Sequence, residues 1–387
     1  MHFDLLVPPL VRFGAGSVDA VGELATTMGA KRPIIVTDAF LASSGVAERV
    51  ANSLRASGLD VAVFSETIPD PTTESLAVGL GALQTHAADS IVALGGGSPI
   101  DTAKALAVLA IRGGSMSELK APFRYSGPAL PILAIPTTAG TGSEATMFTV
   151  ITDSESDEKM LCIGPSYLPS AAIVDYELTV SMPPRLTADT GIDALTHAVE
   201  AFVSKRANAV SDLFALDAIS RIGRSLRRAY HDGSDASARE EMMIAATLAG
   251  MAFSNSSVAL VHGMSRPLGA AFHLTHGMSN AMLFAEVTAF SVAAAPARYA
   301  ACARALGVAS LDDSDASASD ALVRELRALA AELSVPTPSA LGFSRERWEE
   351  QIPAMAAQAL ASGSPANNPR VPNVTEIEQL YRVIYGK

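Results

Sequence analysis

Ser90-Ile91-Val92-Ala93-Leu94-Gly95-Gly96-Gly97-Ser98-Pro99 is the stretch on which the reading of the fold turns. Its first half is a short apolar run bounded by a polar residue, the pattern of a buried strand. The run passes directly into three glycines, and a helix is predicted from Pro99 to Leu109. Proline suits the first turn of a helix, and Asp101 just after it suits the positive end of the dipole. Glycines let the backbone adopt positive φ and approach a ligand closely. The free N–H groups of the helix start then favour a phosphate. A tight turn without a ligand needs fewer than three glycines, so Gly95, Gly96, Gly97 and Ser98 read as a phosphate-binding loop.

The same alternation extends on both sides. Pro33–Asp38, 61–64 and 130–135 are further short apolar runs, and 46–56 and 73–86 read as helices between them. Strands alternating with helices predict a Rossmann-like α/β domain with a mostly parallel sheet. A second loop, Pro136-Thr137-Thr138-Ala139-Gly140-Thr141-Gly142-Ser143-Glu144, follows a strand in the same way. Residues 140–145 formally match G-x-G-x-x-A, but no acidic residue follows at the spacing that pattern requires. The hydroxyls of Thr137, Thr138 and Ser143 nevertheless suit a phosphate or ribose. Asp38, at the end of its strand, either accepts from a ribose hydroxyl, which favours NAD over NADP, or caps the following helix. Gly14-Ala15-Gly16-Ser17 either lines the same site or is only a turn.

From about Thr187 the texture changes to Ala-rich segments of helical period: 189–204, 209–228, 238–254 and 257–268. No further strand is predicted. Met182-Pro183-Pro184 interrupts the chain, so the domains are expected to be 1–182, α/β, and 183–387, all-helical. Residues 312–320, rich in Asp, Ser and Ala, read as an exposed loop leading into a helix over 321–333. No internal repeat is visible.

Bulk properties narrow the function. The 387 residues exceed what one core usually organises. A formal charge of −12 disfavours nucleic acid and anionic membrane as partners. Two cysteines cannot build a disulfide framework, and Met1-His2-Phe3-Asp4 does not begin as a signal peptide. The apolar stretch 242–253 is too short to span a bilayer. A cytoplasmic protein is expected.

The stretch from Asp193 to His276 gathers Asp193, His197, His262, His273 and His276, and three imidazoles with the one carboxylate are a candidate metal-ligating set. Asp193 and His197 are four apart, so on a helix they share one face. Each histidine taken singly reads as a satisfied core or surface residue. Imidazoles grouped with a carboxylate make a plausible shell for a divalent first-row metal.

With these residues in view, the chain resembles the iron-containing (group III) alcohol dehydrogenases over nearly its whole length. Phe13-Gly14-Ala15-Gly16-Ser17, Gly95-Gly96-Gly97-Ser98-Pro99-Ile100-Asp101-Thr102-Ala103-Lys104, the 136–144 loop, Asp193 and His276 carry the resemblance. It implies an NAD(P)-binding α/β domain followed by an all-helical domain holding one divalent metal, an architecture like that of dehydroquinate synthase. It makes Asp193, His197, His262 and His276 the metal ligands, with Fe²⁺ expected and Zn²⁺ accepted. It implies that Gly95–Ser98 and Asp101 bind the pyrophosphate side, with Thr137, Thr138 and Ser143 along the cofactor. Asp38 would then sit by the adenosine ribose and Lys159 by the nicotinamide ribose. The implied activity is interconversion of a small alcohol and its aldehyde or ketone with NAD(H), in a homodimer or larger homo-oligomer.

The chain departs from the family in one place. His262-Gly-Met-Ser-Arg266-Pro267-Leu268-Gly269 carries arginine where many members carry a second histidine. A guanidinium one turn from a ligand suits a carboxylate, phosphonate or sulfonate tail on the substrate; an internal ion pair and the simple loss of a proton-relay histidine are the other readings. His273 either relays a proton to solvent or is a loop histidine. Two other functions compete with this one: a metal-free reductase like maleylacetate reductase, and a lyase like dehydroquinate synthase. The complete ligand set disfavours the first. The third histidine, where the lyase shell has glutamate, disfavours the second.

Overall fold

The computed structural model describes residues 2–386 and divides into two compact units, one from Leu6 to Ser181, the other from Met182 onward with the residues before Leu6.

The first unit is built on eight strands: β1 Val11–Phe13, β2 Pro33–Asp38, β3 Ala62–Thr67, β4 Ser90–Gly95, β5 Ile132–Pro136, β6 Phe148–Thr152, β7 Lys159–Ile163 and β8 Ala171–Val174. Six of them form a parallel sheet in the order β1-β8-β5-β4-β2-β3, and β6 pairs antiparallel with β7. The helices are α1 Val21–Thr27, α2 Ala39–Ser43, α3 Val46–Ala56, α4 Thr73–His86 and α5 Gly97–Arg112. Alternate residues of each central strand feed two cores, as a pleat requires. Ile34, Val36, Ile91 and Ala93 pack with α4 and α5. Ile35, Val92 and Leu94 pack with α1 and α3. Being buried on both faces is why these strands read as continuous apolar runs.

The chain leaves β2 toward β3 on one side and leaves β4 toward β5 on the other. Connections that diverge from adjacent parallel strands open a crevice at their C-terminal ends, where such sheets bind ligands. Asp38 ends β2 and Gly95 ends β4. Four strands escape the sequence reading. β1 and β8 have only three and four residues, and β6 and β7 bury every second side chain, so none shows a sustained apolar run.

The second unit contains α6 Pro184–Val203, α7 Ala209–His231, α8 Ala236–Ser256, α9 Leu260–Phe272, α10 His276–Ser291, α11 Pro296–Leu306, α12 Asp315–Glu332, α13 Arg345–Ala361 and α14 Val374–Ile384. It holds no strand among the described residues. α6 is buried almost throughout from Thr187 to Val203, so its polar residues Asp193, His197 and Glu200 lie in the interior. α12 begins at Asp315, six residues ahead of the expected start at 321. The Ser314 side chain accepts the Ser317 N–H, and the Ser319 hydroxyl donates back to the Asp315 carbonyl. Serines and aspartates that look like loop in composition are here a cap and a first turn. Among the described residues no single helix is long and apolar enough to cross a membrane.

Candidate metal centre and dinucleotide loops

The second unit brings four side chains to one point. α6 contributes Asp193 and His197, α9 contributes His262, and α10 contributes His276 at its first residue. One potential ligand atom from each lies within 4.8 Å of the others. Asp193 Oδ1 is 3.9 Å from His197 Nδ1, 3.7 Å from His262 Nε2 and 3.7 Å from His276 Nε2. Donor atoms each about 2.0–2.2 Å from one cation lie roughly 3.5 Å apart, so a small shift closes this set on a metal. The His197 ring stacks on His262 at 4.4 Å and on Phe253 at 4.2 Å. Asp193, His197 and His262 are buried, and His276 keeps 41% of its side chain exposed, which leaves one open side.

The hydrogen bonds show which way the donor atoms face. Asn280 Nδ2 sits 2.6 Å from Asp193 Oδ1 and 3.1 Å from both His262 Nε2 and His276 Nε2. Asp193 Oδ1 accepts from this amide, and the two imidazole nitrogens face the same small electropositive group. An amide has only two hydrogens for three acceptors, whereas a cation serves all of them at once. Burial alone would raise the Asp193 carboxyl; the surrounding imidazoles more than offset this and hold it well below the usual carboxylate range. Burial pushes the His262 imidazole down, and the Asp193 and Glu200 carboxylates overcome that and raise it. The residues fit a divalent metal with mixed nitrogen and oxygen ligation.

Two further residues belong to this centre that the sequence reading did not single out. Glu200 accepts a hydrogen bond from His262 Nδ1 at 2.7 Å, and Asn280 bridges three of the four donors. Spacing could have flagged Glu200, which continues the Asp193-His197 face as i+7. Nothing local marks Asn280.

The other two candidates of this unit stand differently. Arg266 is half-buried on α9 and donates to Ser364 Oγ at 3.4 Å. Burial lowers its pKa, opposed by the charge of Glu200. It forms no ion pair within 4 Å among the described residues. His273 is exposed in the left-handed conformation that ends α9, with φ 52°, and lies outside the four-residue cluster.

In the first unit the glycine loop follows β4 and opens α5. Gly95 has φ +150°, and a Cβ there would lie 2.5 Å from Pro99 Cγ, so only glycine lets the helix start this close to the strand. Thr137 donates its N–H to the Gly95 carbonyl, joining the two glycine loops. Thr138 faces Gly96, and its buried Oγ1 has no hydrogen-bond partner. An orphaned hydroxyl beside a helix N-terminus and a bare backbone suits a phosphate-bearing ligand.

Asp101 looks inward. Its carboxylate accepts from Ser143 Oγ at 2.7 Å and from the Val150 N–H at 2.9 Å. Ser143 Oγ in turn accepts from Lys104 Nζ, which also reaches Thr146 and the Phe148 carbonyl. Asp101 and Ser143 are therefore engaged within the protein. Ser98 Oγ accepts from the Asp70 N–H, and Asp70 pairs with Lys159 at 2.9 Å, so Lys159 is tied to the glycine loop through Asp70. Asp38 accepts the Leu41 N–H at 2.8 Å and caps α2. Gly14–Ser17 forms a turn, with Ser17 N–H bonded to the Gly14 carbonyl. Residues 140–145 lead into a 3₁₀ turn and then β6, with no helix behind the glycines. The dinucleotide-pattern match there has no helix N-terminus to work with.

Comparisons with known proteins agree with this architecture. Residues 8–176 match the family model "Iron-containing alcohol dehydrogenase", and residues 187–385 match "Fe-containing alcohol dehydrogenase family, C-terminal". The chain is 39% identical over 380 residues to the NAD-dependent methanol dehydrogenase of Bacillus methanolicus, covering 98% of this chain and 99% of that one. A crystal structure of a 1,3-propanediol oxidoreductase superposes with a TM-score of 0.95 at 36% identity, over 99% of this chain and 100% of the other. A sulfoacetaldehyde reductase from Bifidobacterium kashiwanohense, in complex with NAD+, superposes with a TM-score of 0.89 at 28% identity, over 100% and 99%. The chain belongs to the iron-containing alcohol dehydrogenase family of oxidoreductases.

Proposed function

We propose that the protein interconverts a small alcohol and its aldehyde or ketone by hydride transfer to and from NAD(H), with one divalent cation held by Asp193, His197, His262 and His276. The observation that carries this reading is the convergence of those four ligand atoms within 4.8 Å. A divalent cation bound there supplies a Lewis acid that stabilises negative charge on the substrate oxygen. Fe²⁺ is the metal the family points to, and Zn²⁺ suits the same donors. The partly exposed side at His276 gives the substrate access, and Phe253 stacks on the His197 ring. His273, exposed three residues before His276, is placed to exchange a proton with solvent. No protein nucleophile is required.

On the cofactor side, Gly95, Gly96, Gly97 and Ser98 hold the pyrophosphate, and Thr137 and Thr138 line it. Asp101 and Ser143 shape that loop, and Lys159 is the cation for the nicotinamide ribose. NAD is favoured over NADP because Asp38 repels a 2′-phosphate. Asp38→Ser keeps a helix-capping oxygen and removes the charge. The ratio of kcat/KM for NADPH over NADH is expected to rise roughly tenfold, the scale of a like-charge repulsion of about 1–2 kcal/mol. An unchanged ratio in steady-state assays would count against Asp38 as the selector. The setting we infer is cytoplasmic and homo-oligomeric, with small molecules as the only partners.

Arg266 narrows the substrate class. A half-buried guanidinium with a single long hydrogen bond, one turn beyond the ligand His262, suits an aldehyde or hydroxy acid with an anionic tail. One structural relative, the sulfoacetaldehyde reductase, is named for such a substrate. Arg266→Leu is expected to lower kcat/KM for an acid-tailed aldehyde by about 10- to 100-fold, the value of a hydrogen-bonded charge. Turnover of a neutral aldehyde is expected to stay within about threefold. Equal loss on both substrates assigns Arg266 to structure instead.

The defining experiment is elemental analysis of the purified protein together with NADH consumption over an aldehyde panel. Metal-free protein reducing maleylacetate would identify the maleylacetate reductase-like alternative. Turnover of a phosphorylated heptulosonate without net NADH consumption would identify the lyase.

A further inference from the structure

Glu200 lies on α6 three residues after His197 and is 3% exposed. Its carboxylate is fully occupied. Oε2 accepts from His262 Nδ1 at 2.7 Å and from the Ala259 N–H at 2.9 Å, and Oε1 accepts from the Val261 N–H at 2.5 Å. Both amides belong to the start of α9, where the first N–H groups have no partner inside the helix and the dipole favours an anion. An ionised carboxylate only accepts. The hydrogen of this bond is therefore on His262 Nδ1, and the lone pair is on Nε2, the atom 3.7 Å from Asp193 Oδ1.

From this juxtaposition we propose that Glu200 is a positioning residue for the cation: it fixes the tautomer and ring orientation of His262, and it clamps the start of α9 to the helix that carries Asp193 and His197. The inference rests on the metal reading above. A carboxylate behind a ligating imidazole raises the basicity of the ligating nitrogen and holds the ring in place. It also balances charge. Asp193 and Glu200 together match a divalent cation, so the buried assembly of two carboxylates, three imidazoles and one metal is neutral. Glutamine at this position has the same shape but the wrong chemistry. Its amide nitrogen would face either the His262 Nδ1–H or the Val261 N–H, setting donor against donor.

The test compares wild type, Glu200→Gln and Glu200→Asp as full-length metal-free proteins titrated with Co²⁺, with affinity read by competition against a chelator and geometry read from the visible absorption spectrum. Glu200→Gln is expected to bind Co²⁺ about 10- to 100-fold more weakly, with a shifted spectrum. Glu200→Asp, which keeps the charge, is expected to recover part of the loss. Glu200→Gln binding within about twofold of wild type with an identical spectrum overturns the proposal. Wild type that fails to bind Co²⁺ overturns the metal reading itself. If Glu200→Gln does not fold, wild type still decides the matter by histidine ¹⁵N NMR of the metal-free protein above neutral pH. His262 with hydrogen on Nδ1 supports the role, and hydrogen on Nε2 overturns it.

Discussion

Stripping the divalent cation with a chelator is expected to lower kcat/KM for aldehyde reduction by about 10³-fold or more, and Asp193→Ala is expected to do the same. The size follows from the charge that develops on the substrate oxygen. A Lewis acid stabilises that charge by several kcal/mol, and each 1.36 kcal/mol is about tenfold in rate. Asp193 is the chosen ligand because its Oδ1 stands 3.7–3.9 Å from all three histidine nitrogens and is the one formal negative charge in the donor set. Without it, three imidazoles face one another with no anionic ligand, and the remaining carboxylate, Glu200, reaches the site only through His262. NADH binding is expected to change by less than about twofold, because the glycine loops belong to the other unit and keep their contacts. Metal content, steady-state kinetics and NADH fluorescence titration read the three parts separately. Re-adding Fe²⁺ or Zn²⁺ is expected to restore the stripped wild type and not the variant. Metal-free protein that turns over aldehyde at the wild-type rate would remove the cation from the reaction.

Lys104→Met is expected to destabilise the protein by roughly 3–5 kcal/mol, the scale of removing one partner from a buried ionic network. Lys104 is wholly buried, and its ammonium, with three hydrogens, lies within 2.8–3.1 Å of four acceptors: Ser143 Oγ, both oxygens of Thr146 and the Phe148 carbonyl. Methionine fills the same space but leaves the carbonyls of Thr146 and Phe148 without this donor, at about 1–3 kcal/mol each. It also leaves Asp101 beside Ser143 with no neighbouring cation. Urea unfolding of the first unit's transition reads the loss. Because Ser143 and Thr146 anchor the second glycine loop, the KM for NADH is expected to rise along with it.

The same lysine predicts a pH slope. Burial pushes its pKa down to about 8 from 10.5, with Asp101 and Glu144 opposing. Between those two values the unfolded chain binds the proton and the folded chain does not, so the Lys104 contribution to stability rises with pH across that window. The slope is expected to disappear in Lys104→Met. A wild-type stability that falls steadily from pH 8 in step with the variant would contradict it.

The fold class and most of the central elements can be read from the residues alone. Pro33–Asp38 and Ser90–Gly95 are legible as strands because both faces are buried, so their central residues, Ile34–Val36 and Ile91–Leu94, are all apolar. The helices over 46–56 and 73–86 are legible because helical period and capping act within one or two turns. The Gly95-Gly96-Gly97 loop and the Asp193-His197 pair are local patterns too. Pairing His262 and His276 with them rested on resemblance to a family.

Every contact made at long range had to wait for packing. Glu200 meets His262 across 62 residues, Asn280 meets Asp193 across 87, and Lys104 meets the second glycine loop across about 40. No periodicity encodes such meetings, because each depends on how whole helices and strands stack. The same holds for Asp101 and Asp38. The sequence offers each as a carboxylate near a ligand, and packing turns one toward Ser143 and Val150 and gives the other a helix to cap. A polar side chain announces that it needs a partner; which partner it gets is settled only when the fold closes around it.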